Sequence, residues 1–165
     1  MDPILAQLST TLPAAQSIEQ LTRPLLEMLG NATGLESTYL TTVDVAAGTH
    51  QIRYARNTGA MQIPEGAISR WDDALCKRAL DEGRVSTTDV AERWGDVEAV
   101  RVLGIKTYMS APIRGENGDV LGTLCAASRT QQAISPQAES LLQLFAGLVA
   151  SFIERERLVG ETRRA

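Results

Sequence analysis

Residues 110–128, SAPIRGENGDVLGTLCAAS, place two runs of alternating apolar residues on either side of Asn117-Gly118. That pattern specifies a β-hairpin, because side chains on a strand alternate with a period of two and the glycine supplies the tight turn. With Arg114 opposite Asp119, Met109, Ile113, Val120 and Leu124 fall on one side, and Tyr108, Ser110, Thr123 and Cys125 on the other. One side is aliphatic; the other mixes small polar groups with an aromatic ring. A sheet built on such a hairpin buries one face against helices and leaves the opposite face for a cavity.

The rest of the chain supplies the helices. Ile4, Leu5, Leu8 and Leu12 predict a short amphipathic helix over residues 2–12, before Pro13. A second helix starts at Ser17, whose hydroxyl caps while Gln20 reaches back, and ends near Gly34; Pro24 is expected to kink or restart it. TYLTTVD, the loop VAAG and HQIRYARN make a second hairpin, with Tyr39 opposite Tyr54 and Thr41 opposite Ile52. Ser69 is positioned to cap a helix from Arg70 to Glu82, with Trp71, Leu75 and Ala79 on one stripe and Gly83 as the stop. Val85 to Ile105 is a long polar connection, at most a short strand and a short helix, and is the expected lid. Ser135 and Pro136 open the last helix, whose apolar stripe runs from Leu141 to Ile153. Carried to Val159, it would be about 36 Å long. Beyond Ile153, ERERLVGETRRA reads equally as a helix leading to a coiled coil or another domain and as a solvated tail.

At 165 residues the chain suits one domain, and 44% hydrophobic with 22% charged residues is a globular composition. A net charge of −4 advertises no face for nucleic acid. No apolar run approaches a membrane span, and MDPILAQLSTTL lacks the basic and apolar regions of a secretory signal, so a cytoplasmic location is expected. Two cysteines make no disulfide framework. A single histidine, His50, offers neither a metal site nor the usual Ser/His and Cys/His pairings, so a hydrolase is disfavoured.

Four segments together resemble the GAF domain, a small-molecule sensing module: SAPI at 110–113, GDVLGTLCAAS at 118–128, WDDALCKRAL at 71–80, and the run from Asp89-Val90 through WGD to LGIKTYMSAP. The resemblance covers roughly residues 17–156, leaving residues 1–16 as a helical extension and 157–165 as the start of a connecting helix. It implies an α+β fold: a central antiparallel sheet with the terminal helices on one face and a lid helix and loops over the other. The flavour is that of GAF domains preceding diguanylate cyclase or histidine kinase output domains in bacterial signalling proteins, although no such output motif is present here. The resemblance thus implies a non-catalytic sensor that binds a small molecule between sheet and lid and signals through its terminal helices, this chain being the sensor alone, either free-standing or excised from a protein with a covalently linked output domain; homodimerisation through those helices follows from the extended apolar stripe.

The residues expected at the ligand are Tyr39, Tyr54, Trp71, Cys76, Asp89, Trp94, Asp96, Tyr108, Ser110, Thr123 and Cys125. The Tyr and Trp side chains combine flat apolar area with one polar tip, and the chamber is expected between Tyr108, Cys125, Trp71 and Trp94. Asp89 and Asp96 suit a ligand amine or guanidinium, or serve as turn residues and caps. Asp72-Asp73 reads best as first-turn capping. Cys76 is followed by Lys77 and Cys125 by Ala126 rather than by histidine, which speaks against a bilin; the NKFDE-type motif of cyclic-nucleotide-binding relatives is absent too. No cofactor is specified. The alternative to a ligand sensor is a thiol-based redox sensor, or a GAF-type free methionine sulfoxide reductase, using Cys76 and Cys125. Of the two, Cys76 beside Lys77 and Arg78 is the expected thiolate.

Overall fold

The computed structural model describes residues 3–164, with side chains as far as Val159. Its elements are α1 (Pro3–Ala14), α2 (Ile18–Thr33), β1 (Ser37–Asp44), β2 (Thr49–Asn57), β3 (Ile68–Arg70), a 3-10 turn (Trp71–Asp73), α3 (Leu75–Asp81), β4 (Ser86–Thr87), α4 (Val90–Arg93), α5 (Glu98–Leu103), β5 (Thr107–Arg114), β6 (Val120–Ser128) and α6 (Pro136–Arg164). The strands form one antiparallel sheet in the order β3-β2-β1-β6-β5-β4.

Two apolar cores flank the sheet. On one face α2 and α6 bury Leu21, Leu25, Leu29, Leu142, Phe145 and Val149 against Leu40, Met109, Ile113 and Leu124 of the strands. On the other, α3 to α5 bury Cys76, Val90, Trp94 and Val100 against Tyr39, Tyr108 and Cys125. Adjacent residues on one strand therefore serve different cores: Tyr39 faces the lid and Leu40 the helices, as the two-residue period requires.

Two β-bulges refine the expected registers. On β1 and β2, Thr41 pairs with Ile52, but Leu40 pairs with Tyr54 and Tyr39 with Ala55, because Arg53 is inserted as an extra residue. The insertion turns Tyr54 to the helical face, where it packs on that core and lies under Arg23, whose guanidinium carbon is 5.2 Å from the ring centre. In the second hairpin Arg114 pairs with Val120 rather than Asp119, and Ile113 pairs with Gly122, leaving Leu121 as the extra residue. Leu121 therefore joins the helix-side core and Val120 the lid-side core, while Met109, Ile113, Leu124 and Tyr108, Ser110, Thr123, Cys125 divide as expected. The turn itself is closed by the Gly118 N–H donating to the Gly115 carbonyl at 2.9 Å, with Gly118 at φ 81°.

The helices depart from expectation where tertiary packing decides. α2 is capped by Ser17, which accepts from the Gln20 N–H at 3.1 Å, and stops at Gly34 with φ 73°. It runs on through Pro24, because Leu21, Leu25, Leu26 and Leu29 share one buried face on both sides of the proline. Ser69 does not cap a helix: it is the middle residue of β3, opposite His50, and its hydroxyl hydrogen-bonds His50 Nδ1 at 2.9 Å. Pairing holds the backbone extended there, so α3 starts only after the 3-10 turn, with no side-chain cap, and Asp72 and Asp73 do not cap it. The lid is more ordered than a polar loop, its two short helices being anchored by buried Val90, Trp94, Val97 and Val100. Ser135 caps α6, accepting from the Ala138 N–H at 3.1 Å, and the helix continues unbroken through residue 157 to Arg164. Among the described residues no helix is long and apolar enough to cross a membrane.

Candidate functional site

The open volume on the lid face lies toward the β2–β3 edge. A cleft of about 640 Å³ opens between the 3-10 turn, the start of α3, and α5, lined by Ile52, Pro64, Asp72, Asp73, Arg78, Asp96, Glu98, Ala99 and Leu103 among others. Behind it an inner chamber of about 120 Å³ is walled by Tyr39, His50, Ile52, Ile63, Leu75, Cys76, Leu103 and Ile105. Ile52, Pro64, Ser69, Asp73, Ala74, Ala99 and Leu103 line both, so the chamber is the floor of the cleft. The rim carries four carboxylates, and the chamber walls are mostly apolar apart from His50, Ser69 and Asp73.

Four carboxylates and one guanidinium, Arg78, line the mouth. Arg78 is already engaged: it donates to Asp96 at 2.8 and 3.3 Å, and this pairing holds the Asp96 carboxyl below its usual range. Burial holds His50, on the chamber wall, below its ordinary pKa, so it is neutral around pH 7. Its ring lies 6.1 Å from that of Trp71, which is buried.

The space expected between Tyr108, Cys125, Trp71 and Trp94 is packed instead. Trp94 and Cys125 are fully buried and Tyr108 nearly so, the Trp94 and Tyr108 rings meeting edge to face at 6.4 Å. The Trp94 indole donates to Glu82 Oε2 at 2.8 Å, and Trp94 is thereby a structural pillar of the lid. A third, separate hollow of about 150 Å³ lies under the end of α3, lined by Ala79, Leu80, Gly83, Arg84, Val85, Ser110, Pro112 and Thr123.

Between this hollow and the inner chamber sits a polar knot. The Tyr108 hydroxyl donates to Cys125 Sγ at 3.3 Å, and the Thr123 and Ser110 hydroxyls stand 3.2 and 3.6 Å from the same sulfur. Thr41 on β1 adds a hydroxyl 2.7 Å from that of Thr123 and accepts the Thr123 N–H. Burial pushes the Cys125 thiol up, but hydrogen bonds from Cys76, Thr123, Tyr108 and Ser110 outweigh it and bring the pKa to about 7. Cys76 moves the other way, its hydrogen bond to Cys125 and its burial holding it well above the usual thiol range. The two shifts run opposite to the sequence expectation for Cys76, because Lys77 and Arg78 turn outward to Asp81 and Asp96 and leave it without a cation.

Of the residues expected at a ligand, Tyr39, Cys76 and Asp96 line the cleft or its chamber; Ser110 and Thr123 line the third hollow. Trp71, Trp94, Tyr108 and Cys125 form the packed wall behind, and Tyr54 lies across the sheet. Asp89 is at the exposed start of α4, 3.5 Å from Arg93. Sequence reasoning missed Ile63-Pro64 and the Ala99/Leu103 face of α5; the helical spacing of Val97, Val100 and Leu103 was the available signal for the latter.

The family profile of the GAF domain matches residues 17–153. The chain is 50% identical over 164 residues to the diguanylate cyclase DgcP of Escherichia coli (strain K12), covering 99% of this chain and 48% of that protein, so it spans about half the relative's length. Similar solved structures include the GAF domain of an Acinetobacter phosphoenolpyruvate-protein phosphotransferase (TM-score 0.76, 12% identity, covering 96% of this chain and 97% of that one). The chromophore-binding domain of a bacteriophytochrome from R. palustris superposes with TM-score 0.77 at 13% identity, over 95% of this chain and 62% of its own. A phycocyanobilin-bound GAF domain from a cyanobacterial phytochrome gives TM-score 0.75 at 16% identity, with 94% of each chain covered. With the profile matching most of its length and the sheet, lid and terminal helices arranged as in these structures, the chain belongs to the GAF domain family.

Proposed function

We propose that this chain is a non-catalytic sensor in which a small molecule occupies the cleft and its inner chamber and the signal leaves through α2 and α6. The observation that carries this reading is the continuity of an open, acid-rimmed cleft with an apolar chamber on the lid face of strands whose other face holds the terminal helices. A ligand with a compact apolar part and a cationic head complements that gradient: the apolar part fills the chamber walled by Ile52, Ile63 and Leu103, and the head meets Asp72, Asp73 and Glu98. Binding shifts the helices only if two packings of the sheet differ in affinity for the ligand. β1 carries both Tyr39 on the chamber wall and Leu40 in the helical core, so a small displacement of that strand reaches both.

The diguanylate cyclase similarity, which spans 48% of that protein, supports a covalently linked output domain; a cytoplasmic setting and roles for α1 and the end of α6 as connectors outside the sensing core belong to the same proposal. Homodimerisation through the terminal helices completes the proposal, since Leu5 and Leu144 expose large apolar side chains on α1 and α6. Native mass spectrometry of freshly purified protein should detect a retained small molecule. Thermal shift should show 3-methylbutylamine stabilising the fold more than 4-methylpentanoate, with Asp73→Asn narrowing the gap and Leu103→Trp abolishing binding of both. A protein that binds neither compound and retains nothing would end the ligand-sensor reading.

A further inference from the structure

Two β-bulges on different hairpins deliver their extra residues to one hollow. Arg53 of β2 and Leu121 of β6 both line a cavity of about 230 Å³ on the helical face of the sheet. Buried Leu40 and Ile113 belong to its floor, and half-buried Ile18 at the start of α2 and Ile153 of α6 to its sides. It shares no lining residue with the cleft or the inner chamber across the sheet. A bulge beside a site re-aims a side chain, and here two do so toward the same space.

The chemistry of the walls selects an occupant. They are mainly aliphatic, and the one charged group among them is Arg53, which is exposed. Its guanidinium carbon lies 5.9 Å from the centre of the Tyr54 ring, and it has no carboxylate partner among the described residues. Arg23, above the same ring at 5.2 Å, is by contrast held by Glu19 and Glu65, each at 2.8 Å. An unpaired guanidinium beside an aliphatic hollow complements a carboxylate head on an aliphatic tail, since its planar fork matches the two carboxylate oxygens. A volume of about 230 Å³, below the roughly 300–1,000 Å³ of drug-sized sites, suits a single short chain.

We propose that this hollow binds a medium-chain aliphatic carboxylate, its tail between α2 and α6 over Leu40 and Ile113 and its head on Arg53. Each methylene that leaves water for the hollow tightens binding about fourfold until the space is full. Such a ligand touches both terminal helices directly. Leu40 on the floor is the strand neighbour of Tyr39 on the chamber wall, so the two sites meet through β1. This input acts on the helices with the lid cleft empty and does not depend on the ligand reading above.

Octanoate titrated into the intact chain should bind saturably, at least tenfold more tightly than butanoate or the shorter 4-methylpentanoate. Isotope-filtered NOEs should connect its chain to the methyl groups of Ile18, Ile113, Leu121 and Ile153. Arg53→Met, which keeps an unbranched stem but removes the charge from an exposed position, should weaken octanoate about tenfold with circular dichroism unchanged. Ile153→Trp should fill the hollow and abolish binding, whereas Leu103→Trp, in the lid chamber, should leave octanoate affinity as it is. Contacts to Ile63 or Leu103 instead, unsaturable detergent-like binding, equal affinity for butanoate and octanoate, or indifference to Arg53→Met would each overturn the proposal. So would intermolecular NOEs showing side chains of a second copy seated in the hollow.

Discussion

Trp94 and Glu82 are joined by one hydrogen bond, the indole Nε1–H donating to Oε2 at 2.8 Å, and this bond ties α4 to the end of α3 across the lid. Trp94 has no solvent exposure, so without the carboxylate its N–H has no partner. Glu82→Ala should cost about 1–3 kcal/mol in urea unfolding, the penalty for an orphaned buried donor. Glu82→Gln keeps an acceptor oxygen and should recover most of that loss.

Gly122 of β6 pairs with Thr42 of β1, and a methyl group there would overlap the Thr41 carbonyl oxygen. Backbone cannot move aside as a flexible side chain can. Gly122→Ala is therefore expected to destabilise by about 1–3 kcal/mol. Gly147 on α6 is the contrasting case, with open space around its α-carbon: Gly147→Ala should stabilise by about 0.5–1 kcal/mol through helix propensity. Chemical denaturation of both variants checks the pair.

His50 gives a pH signature. Burial lowers its folded pKa, while in the unfolded chain it titrates near the ordinary value of about 6.5. Below that pH the unfolded state takes up the proton more readily, so stability falls as pH drops through about 6.5 and on toward the folded value. Above it His50 is neutral in both states and contributes no slope. Denaturation midpoints between pH 5 and 8 should show this fall in the wild type and a shallower one in His50→Gln.

Leu144 on α6 is half exposed, and Val159, just over four turns further along, is 43% exposed. If the terminal helices pair between two copies, Leu144→Lys combined with Val159→Lys should convert a dimer to a monomer in light scattering with little change in circular dichroism. A wild type that is monomeric at high concentration removes the dimer from the proposal.

The two-sidedness of the sheet was legible because Met109, Ile113 and Leu124 alternate strictly with Tyr108, Thr123 and Cys125. What was not legible is where alternation breaks. Neither Arg53 nor Leu121 is a glycine or proline, and nothing local marks either as the extra residue of a bulge; the registers follow from how β2 pairs with β1 and β6 with β5. That one insertion is why Tyr54 faces the helices and not the cleft. Ser69 misled for a related reason: a serine before Trp-Asp-Asp looks like a cap, but long-range pairing with His50 claims its backbone first. The cleft escaped notice because its walls come from Ile52, Pro64, Asp73 and Leu103, which are scattered along the chain and share no periodicity. The polar knot around Cys125 was half visible, as Ser110, Thr123 and Cys125 on one face, but the contribution of Cys76 depends on the placement of α3.

The 29-residue α6 is about 44 Å long at the standard helical rise. Leu142, Phe145, Val149 and Phe152 seat it on the sheet, and Arg157 holds Glu116 of the β5–β6 turn at 3.7 Å, so the final turns project past the last point of attachment. Such a rod acts as a lever: a tilt of about 5° at Pro136 sweeps its far end through nearly 4 Å, on the order of the spacing between neighbouring side-chain ridges on a packed helix pair. Displacements too small to rupture any hydrogen bond in the sheet thus arrive at the tip large enough to change which ridges interlock.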